Sequence, residues 1–557
     1  MYKVIITAAL ICTLIGCSKS LDQQPIGELS EDQLKTKSGV ESIIIGAYSI
    51  LNGQFDAGEA YNSPASNWSF GDVRSGDAYK GSTGTTDQIN IHDMEVFSSL
   101  TASNLDAQRK WACLYEGIKR CNNALQLLPD ATGYTNQLKQ QRIAEMKFLR
   151  GHYYFELKKI FNRVPYIDET AELKEDFYVS NDALASDQLW TKIENDFKTG
   201  LSVLPSTKSG EPGRPTRFAA WAYLCKSYIF QKKWALASAA ADTVIASGIF
   251  SLMPNYPNVF LPENDNGTEI VFAVEHSIND GSTGNKKGSA GDRLNRIATP
   301  AGGGYPAGAQ GFHRPSQNLV NAFKVTALGL PANSDVNLTA TDLVDPRVDF
   351  SIARVGIPFL DYTKETYKAN WTRGNGVYGN YSVKKKMVSP VSTHYDRTNQ
   401  GITDLNCYII RYADILLFKA EALIETGNID GGIALINQPR NRAKNSKRIQ
   451  NLAPATGDAA NYKAEPYTIP FVGGYPTAIA ALKLERRLEL SLEGHRFFDL
   501  VRWGDAATFL NAYFSMEKAR RSYLTSALFS VGKNEYMPIP QSEIDLSKGK
   551  LTQNPGY

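Results

Sequence analysis

Histidine is scarce in this chain of 557 residues, and so are the groupings that would turn it into chemistry. There are six, and the two nearest in sequence, His276 and His313, are still far apart. Neither the H-E-x-x-H of zinc proteases nor the G-x-S-x-G nucleophile elbow is present. Net charge is only +3, with acids and bases interspersed. That leaves no basic stripe of the kind nucleic-acid binding requires. Six cysteines include Cys12 and Cys17 near the start, leaving Cys113, Cys121, Cys225 and Cys407. Cys113 and Cys121 lie in one helical stretch, roughly 12 Å apart at 1.5 Å per residue. A disulfide needs its Cα atoms within about 7 Å, so these read as buried free thiols although an exported protein could hold disulfides. Beyond the first residues no apolar run reaches the roughly 20 residues that span a bilayer.

The opening MYKVIITAALICTLIGCSKS has a basic Lys3 and an apolar run from Val4 to Ile15. That run is short for a spanning helix and suits the core of a signal peptide. It ends Leu14-Ile15-Gly16-Cys17, which resembles a bacterial lipobox. The expectation is a leader over 1–16 and a lipid-modified Cys17. More than one acyl chain there would anchor the protein to a membrane without a spanning segment.

Much of the remainder has helical periodicity. LDAQRKWACLYEGIKRCNNALQLLP sets Trp111, Leu114, Ile118, Cys121 and Leu125 on one face, and QRIAEMKFLRGHYYFELKKIF does the same with Ile143, Met146, Leu149, Tyr153 and Leu157. The polar DATGYTN between them predicts a helical hairpin. Two further pairs carry tetratricopeptide-like spacing: Cys225, Tyr228, Trp234, Ala237 and Ala241 in one, and Ala420, Leu423, Gly427, Ile429, Gly432 and Ile436 in the other. The intervening segments are unlike them. Residues 281–311 contain nine glycines, and 355–400 are rich in Gly, Tyr, Thr and Asn, with TEIVFAVEHS (268–277) the clearest strand nearby. Long loops in a compact domain are usually functional or disordered, and scattered aromatics argue against plain disorder. The fold class read here is mainly α: helix pairs as scaffold, long loops and a few short strands. Region 17–265 and region 266–557 are expected to fold as one compact unit.

The stretch LERRLELSLEGHRFFDLVRWGDA (484–506) tests for an active site. His495 stands among Glu485, Glu489, Glu493 and Asp499, yet no second histidine is near. The reading is scaffold: Arg486, Arg487, Arg496 and Arg502 tie the carboxylates into ion pairs while Leu488, Leu492, Phe497, Phe498, Leu500, Val501 and Trp503 fill a core.

These same residues resemble the signature of the SusD/RagB family of outer-membrane lipoproteins. IIRYADILLFKAEALIETG (409–427), INQPRNRAK (436–444), YMPIPQSEIDLSKGKLTQNPGY (536–557), GDVRSGDAYKG (71–81) and the lipobox agree with it. The resemblance implies about four tetratricopeptide-like helix pairs and a surface-exposed lipoprotein of the outer membrane. It further implies a lid on a SusC-like TonB-dependent transporter that captures oligosaccharides, or peptides as in the RagB branch, without cleaving them. No cofactor is expected apart from the lipid on Cys17.

Sugar recognition uses rings as stacking platforms with amides and carboxylates fixing hydroxyls. By the resemblance, site residues fall in 67–81 and in 281 to about 380. Candidate platforms are Trp68, Tyr79, Tyr305, Phe312, Trp371 and Tyr378; candidate polar partners are Asn67, Asp72, Arg74 and Asp77. Trp68 has a core alternative, and Asp72, Arg74 and Asp77 could instead hold their own loop together. Many family members carry two adjacent acids where this chain has Gly76-Asp77, so no acid is carried over to position 76. Tyr305, among glycines and Pro306, is the least core-like ring. ENDNGTE (263–269) has oxygen ligands without calcium-loop spacing and reads as a solvated turn. A glycosidase would need two carboxylates about 5 to 9.5 Å apart, a pairing that distant loops alone could supply.

Overall fold

The computed structural model describes residues 31–56, 58–208, 210–295, 310–398 and 401–557. Cys17 and Tyr305 lie outside the described residues. Helices dominate, and the strands are short and paired two by two.

The expected hairpin is Leu105–Leu127 against Asn136–Phe161. Asn104 and Thr135 cap the two helices by accepting the N–H groups of Ala107 and Leu138, each cap contributing about 1 kcal/mol. The two tetratricopeptide-like pairs are Arg217–Phe230 with Trp234–Ala246, and Tyr412–Glu425 with Ile429–Asn445. Their small spacing residues Cys225, Ala237, Ala241, Ala420 and Gly432 are all buried where the paired helices meet. Trp234–Ala246 also packs on Tyr412–Glu425, so the two pairs, distant in sequence, are neighbours in space. Helix Ser186–Lys198 fills the gap between Asn136–Phe161 and Arg217–Phe230, where Phe197 stacks on Tyr223 at 4.6 Å. Cys113, Cys121, Cys225 and Cys407 are buried free thiols.

The strand read at 268–277 is Ile270–Val274, antiparallel to Cys407–Arg411. A second pair, Ala78–Gly81 with Phe312–Pro315, brings the 71–81 motif against the central insert. The largest core cluster draws on both halves of the chain, from Val40 to Ile539.

Glu485, Glu489, Glu493 and Asp499 of the 484–506 stretch sit inside the molecule, each matched to cations. Arg347 reaches Glu485 at 2.6 Å and Glu489 at 3.0 Å, and Arg411 reaches Glu489 at 3.1 Å and Glu493 at 2.8 Å. Arg440 meets Glu485 at 3.2 Å, and Lys385 meets Glu493 at 2.6 Å. Losing one member of such a buried network costs about 3–5 kcal/mol because it strands the other. Of the four arginines expected to tie these carboxylates, only Arg486 and Arg502 do, both through Asp499, with further pairs to Asp414 and Glu421. Arg487 pairs instead with Asp77, outside the stretch. Arg496 forms no ion pair among the described residues. Its guanidinium lies over the rings of Phe509 and Trp503, and Nε and Nη1 make no hydrogen bond. Val501 and Trp503, read as core, are half-buried; the Trp503 indole donates to Glu421 at 2.8 Å. Burial pushes His495 down to about 4, leaving it a neutral ring at the start of helix Arg496–Trp503. Among the described residues no cluster of three metal-ligating side chains forms.

Candidate functional site

The motif loop 67–81 packs inward, and so do its rings. Trp68, Tyr79, Phe312, Trp371 and Tyr378 are each 3% exposed or less. None of the five offers a face to a ligand in solution, which corrects their reading as stacking platforms. Each ring can bury 150–250 Å², and this area goes to the interior. Trp68 lies edge-on to Phe312 at 6.3 Å. The Tyr79 hydroxyl accepts the N–H of Gln317 at 3.0 Å and donates to Glu517. Trp371 sits in a satellite cluster with Phe359, Tyr362 and Tyr367, and Tyr378 packs on Tyr523 at 5.1 Å.

The polar candidates are also internal. Asp72 accepts from the N–H of Gly494 and pairs with His313 at 3.0 Å. Arg74 lies 4.0 Å from the Phe497 ring centroid and donates to the Asn534 carbonyl at 2.9 Å; burial lowers its guanidinium to about 10. Asp77 pairs with Arg487 at 2.6 Å. Asn67 donates to Glu156 at 2.8 Å. These groups are structural, but they tie the loop to distant segments at 313, 487, 494 and 534 and not to itself as the alternative had it. At 263–269, Asp265 accepts from the Tyr408 hydroxyl and the Asn406 N–H, as a turn residue would.

What the buried motif does is build a groove beside it. Arg314, on the strand paired with Ala78–Gly81, is fully buried and has no carboxylate partner among the described residues. It donates instead to the carbonyls of Arg373, at 2.9 Å, Gly379 and Tyr381. Burial lowers its pKa to about 10. One guanidinium thus shapes the loop 373–381. Gly379 sits at φ +79, a conformation that side-chain-bearing residues rarely adopt. On the strand side, Lys80 donates to the carbonyls of Gly84 and Asp87 and holds loop 82–88 in place.

The groove flanking that loop has a volume of about 490 Å³ open to the centres of water-sized molecules. Its useful groups are the half-buried ring of Tyr381, the exposed amides of Asn375 and Asn380, and the guanidinium of Arg521. Arg521 packs 5.3 Å from the Tyr79 ring centroid, and its Nε makes no hydrogen bond. Arg354 also lines the groove but is engaged by both oxygens of Asp349 at 2.6 Å. The single carboxylate in the lining, Asp342, accepts from Thr339 N–H at 2.8 Å and faces Lys324 at 3.2 Å. One ring, two exposed amides and one cation whose Nη1 is held by the Arg520 carbonyl but whose Nε is open can hold a hydroxyl-rich ligand; among the described residues the lining has no carboxylate pair for acid–base work. Sequence reasoning passed over Tyr381 and Asn380, although both stand in the NWTRGNGVYGNY segment that supplied Trp371 and Tyr378. The alternation of glycine with polar residues around Asn380-Tyr381 was the available signal.

Comparison with known proteins places this geometry. Residues 268–557 match the model described as the SusD family, and residues 19–229 match one described as starch-binding associating with outer membrane. A SusD-like protein, P38, of Formosa agariphila is 24% identical over 521 residues, 88% of this chain and 89% of the relative. The starch-binding protein SusD of Bacteroides thetaiotaomicron is 24% identical over 466 residues, 77% and 75% of the two chains. Among solved structures, a laminarin-binding SusD-like protein superposes with a TM-score of 0.69 at 24% identity, covering 94% of this chain and 100% of that one. Surface glycan-binding protein A of Bacteroides thetaiotaomicron, in complex with laminarihexaose, gives 0.68 at 22%, covering 93% and 99%. At these identities the superpositions speak for the fold.

Proposed function

The chain belongs to the SusD family, and from that premise we propose that it binds oligosaccharide at the outer membrane without cleaving it and passes it to a SusC-like TonB-dependent transporter. The observation that carries the binding half is the groove itself: Tyr381, Asn375, Asn380 and Arg521 face one open volume that contains a single, already engaged carboxylate. In a water-exposed groove each hydrogen bond contributes only about 1 kcal/mol net. The ring should therefore set affinity and the amides selectivity. The relatives named for starch and laminarin binding support glycan over peptide as the ligand class. The description of the family matched at 19–229 supports the outer-membrane location, and we assign the anchor to lipid on Cys17. Tyr305, which lies outside the described residues, stays a candidate ligand contact.

Titration calorimetry of wild type, Tyr381→Ala and Tyr305→Ala against a panel of glucan oligosaccharides tests the binding. A roughly tenfold or greater loss in each variant is expected; binding of peptides with no glycan bound would replace this reading with the RagB-like one. Radiolabelled palmitate incorporated by wild type and not by Cys17→Ser would support the anchor. Release of reducing ends from the bound oligosaccharide would make the protein a glycosidase instead.

A further inference from the structure

His313 neighbours Arg314 on its strand, and the two residues serve different spaces. Arg314 shapes the groove loop, whereas His313 lines a second, partly open cavity together with Trp68, Asp292, Asn295, Lys386 and Leu492. This cavity offers about 60 Å³ to the centres of water-sized molecules. One water occupies about 10–15 Å³ of such space, so the room is for roughly four to six waters or one small ring.

Its polar groups are unevenly satisfied. The ionic ones are matched: Asp72 with His313 at 3.0 Å, Lys385 with Glu493 at 2.6 Å, and Asp292 with the hydroxyl of Ser66 at 2.5 Å. Others are not. Trp68 is 1% exposed and its Nε1 makes no hydrogen bond within the protein; Asn295 is 7% exposed and its Oδ1 is likewise unpartnered. A buried polar group left so costs about 1–3 kcal/mol. Lys386 extends into the same space and is desolvated, but Cys407, Asp292, Glu493 and Asp72 nearby hold its pKa up, so it stays charged. Apolar walls come from Val383, Val388 and Leu405.

The backbone around the cavity is also unusual. Asn67, His313, Lys386 and Leu492 have φ of 51°, 53°, 64° and 61°, the left-handed region. For non-glycine residues such conformations cost on the order of 1 kcal/mol or more, and they gather where a site over-determines them. Three of the four line this cavity, and the fourth precedes Trp68.

We propose that the cavity is a second ligand site, distinct from the groove, which takes one neutral polyhydroxy molecule of monosaccharide size. Trp68 Nε1 and the Lys386 ammonium donate to its oxygens, and Asn295 Oδ1 accepts from a hydroxyl. Interleaved donors and acceptors with apolar walls suit a polyol. In the lining an anion would meet Asp292, and a cation would meet Lys385 and Lys386. Trp68 thus acts through its edge and not its face. The inference does not rest on the groove reading, because no residue is shared between the two linings.

The test is thermal unfolding of the full chain with glucose, galactose, mannose, xylose and myo-inositol, each titrated to saturation, with trimethylamine N-oxide as a control for non-specific exclusion. At least one of these should raise Tm saturably by about 2 °C. The shift should vanish in Lys386→Met and Trp68→Phe and persist in Tyr381→Ala. A wild-type crystal soaked with the active compound should place it against Trp68 Nε1. No saturable shift with any of the five, a shift retained in Lys386→Met, or only water in the soaked cavity would each overturn the proposal. Should Trp68→Phe fail to fold, Lys386→Met and the soaked crystal decide.

Discussion

The carboxylate of Asp72 accepts the backbone N–H of Gly494 through both oxygens, at 3.0 and 2.9 Å. The residues lie 422 positions apart. Beside them Gly71 and Gly494 touch so closely that a Cβ on Gly71 would come within 2.0 Å of the Gly494 carbonyl oxygen. The 71–81 and 484–506 stretches are therefore two sides of one buried contact, which forms the floor of the loop region.

Asp72→Ala should lower the unfolding free energy by about 3 kcal/mol, since it strands the Gly494 N–H and His313 Nε2 together. Urea unfolding followed by tryptophan fluorescence reads this directly. An unchanged midpoint would mean the contact holds nothing.

This contact also shows how far sequence carried the fold. The helix pairs were legible because a 3.6-residue period survives in Trp111, Leu114, Ile118 and Leu125 without knowledge of any partner. That Glu485, Glu489 and Glu493 belong to a scaffold was legible from the lack of a second histidine. Which arginines satisfy them was not: Arg347, Arg411 and Arg440 come from other elements, and no local pattern announces a long-range ion pair. The site was the weakest part. Aromatic residues in glycine-rich loops read as exposed, yet Trp371 and Tyr378 fold back to bury their area, and the half-exposed ring of Tyr381 is three residues further on.

Trp371→Phe should leave oligosaccharide affinity within about twofold, because the ring presents no face to the groove. Trp371→Ala should destabilise by about 3–5 kcal/mol through loss of packing against Phe359 and Tyr367. A calorimetric affinity lost in Trp371→Phe, with thermal stability intact, would restore the residue as a ligand contact.

Arg314→Lys should cost roughly tenfold in affinity while the fold survives. A single ammonium cannot span the carbonyls of Arg373, Gly379 and Tyr381 with the guanidinium's planar fork. Titration of the variant beside circular dichroism separates a misplaced loop from an unfolded protein. Wild-type affinity in Arg314→Lys would contradict the positioning role.

Two sets of buried groups should each lose their contribution to stability in acid, in separate pH windows. Burial holds His495 down at about 4 and His152 at about 3, against an ordinary 6.5. The unfolded chain therefore takes up those protons first, and stability present above about pH 6.5 is lost as pH falls. Glu489 would be raised by burial, but Arg442, Arg411, Arg347 and Lys385 bring it down to about 2. Its contribution is full above the unfolded value near 4.5 and is lost as pH falls towards 2. Glu95, Asp106 and Asp265, which burial raises to about 7, gain stability on acidification and oppose this trend. The readout is therefore the thermal midpoint of wild type relative to His495→Gln, which should fall as pH drops from about 6.5 to 4; a relative midpoint that rises on acidification would reverse the sign of this linkage.

The most direct test of oligosaccharide capture in the groove is calorimetric titration of starch- and laminarin-derived oligosaccharides into wild type, Tyr381→Ala and Asn380→Ala side by side. The structure predicts saturable binding by wild type to at least one of them, weakened about tenfold or more by Tyr381→Ala and less by Asn380→Ala. Equal affinity in all three proteins would show that the sugar binds elsewhere and that the groove is not the site.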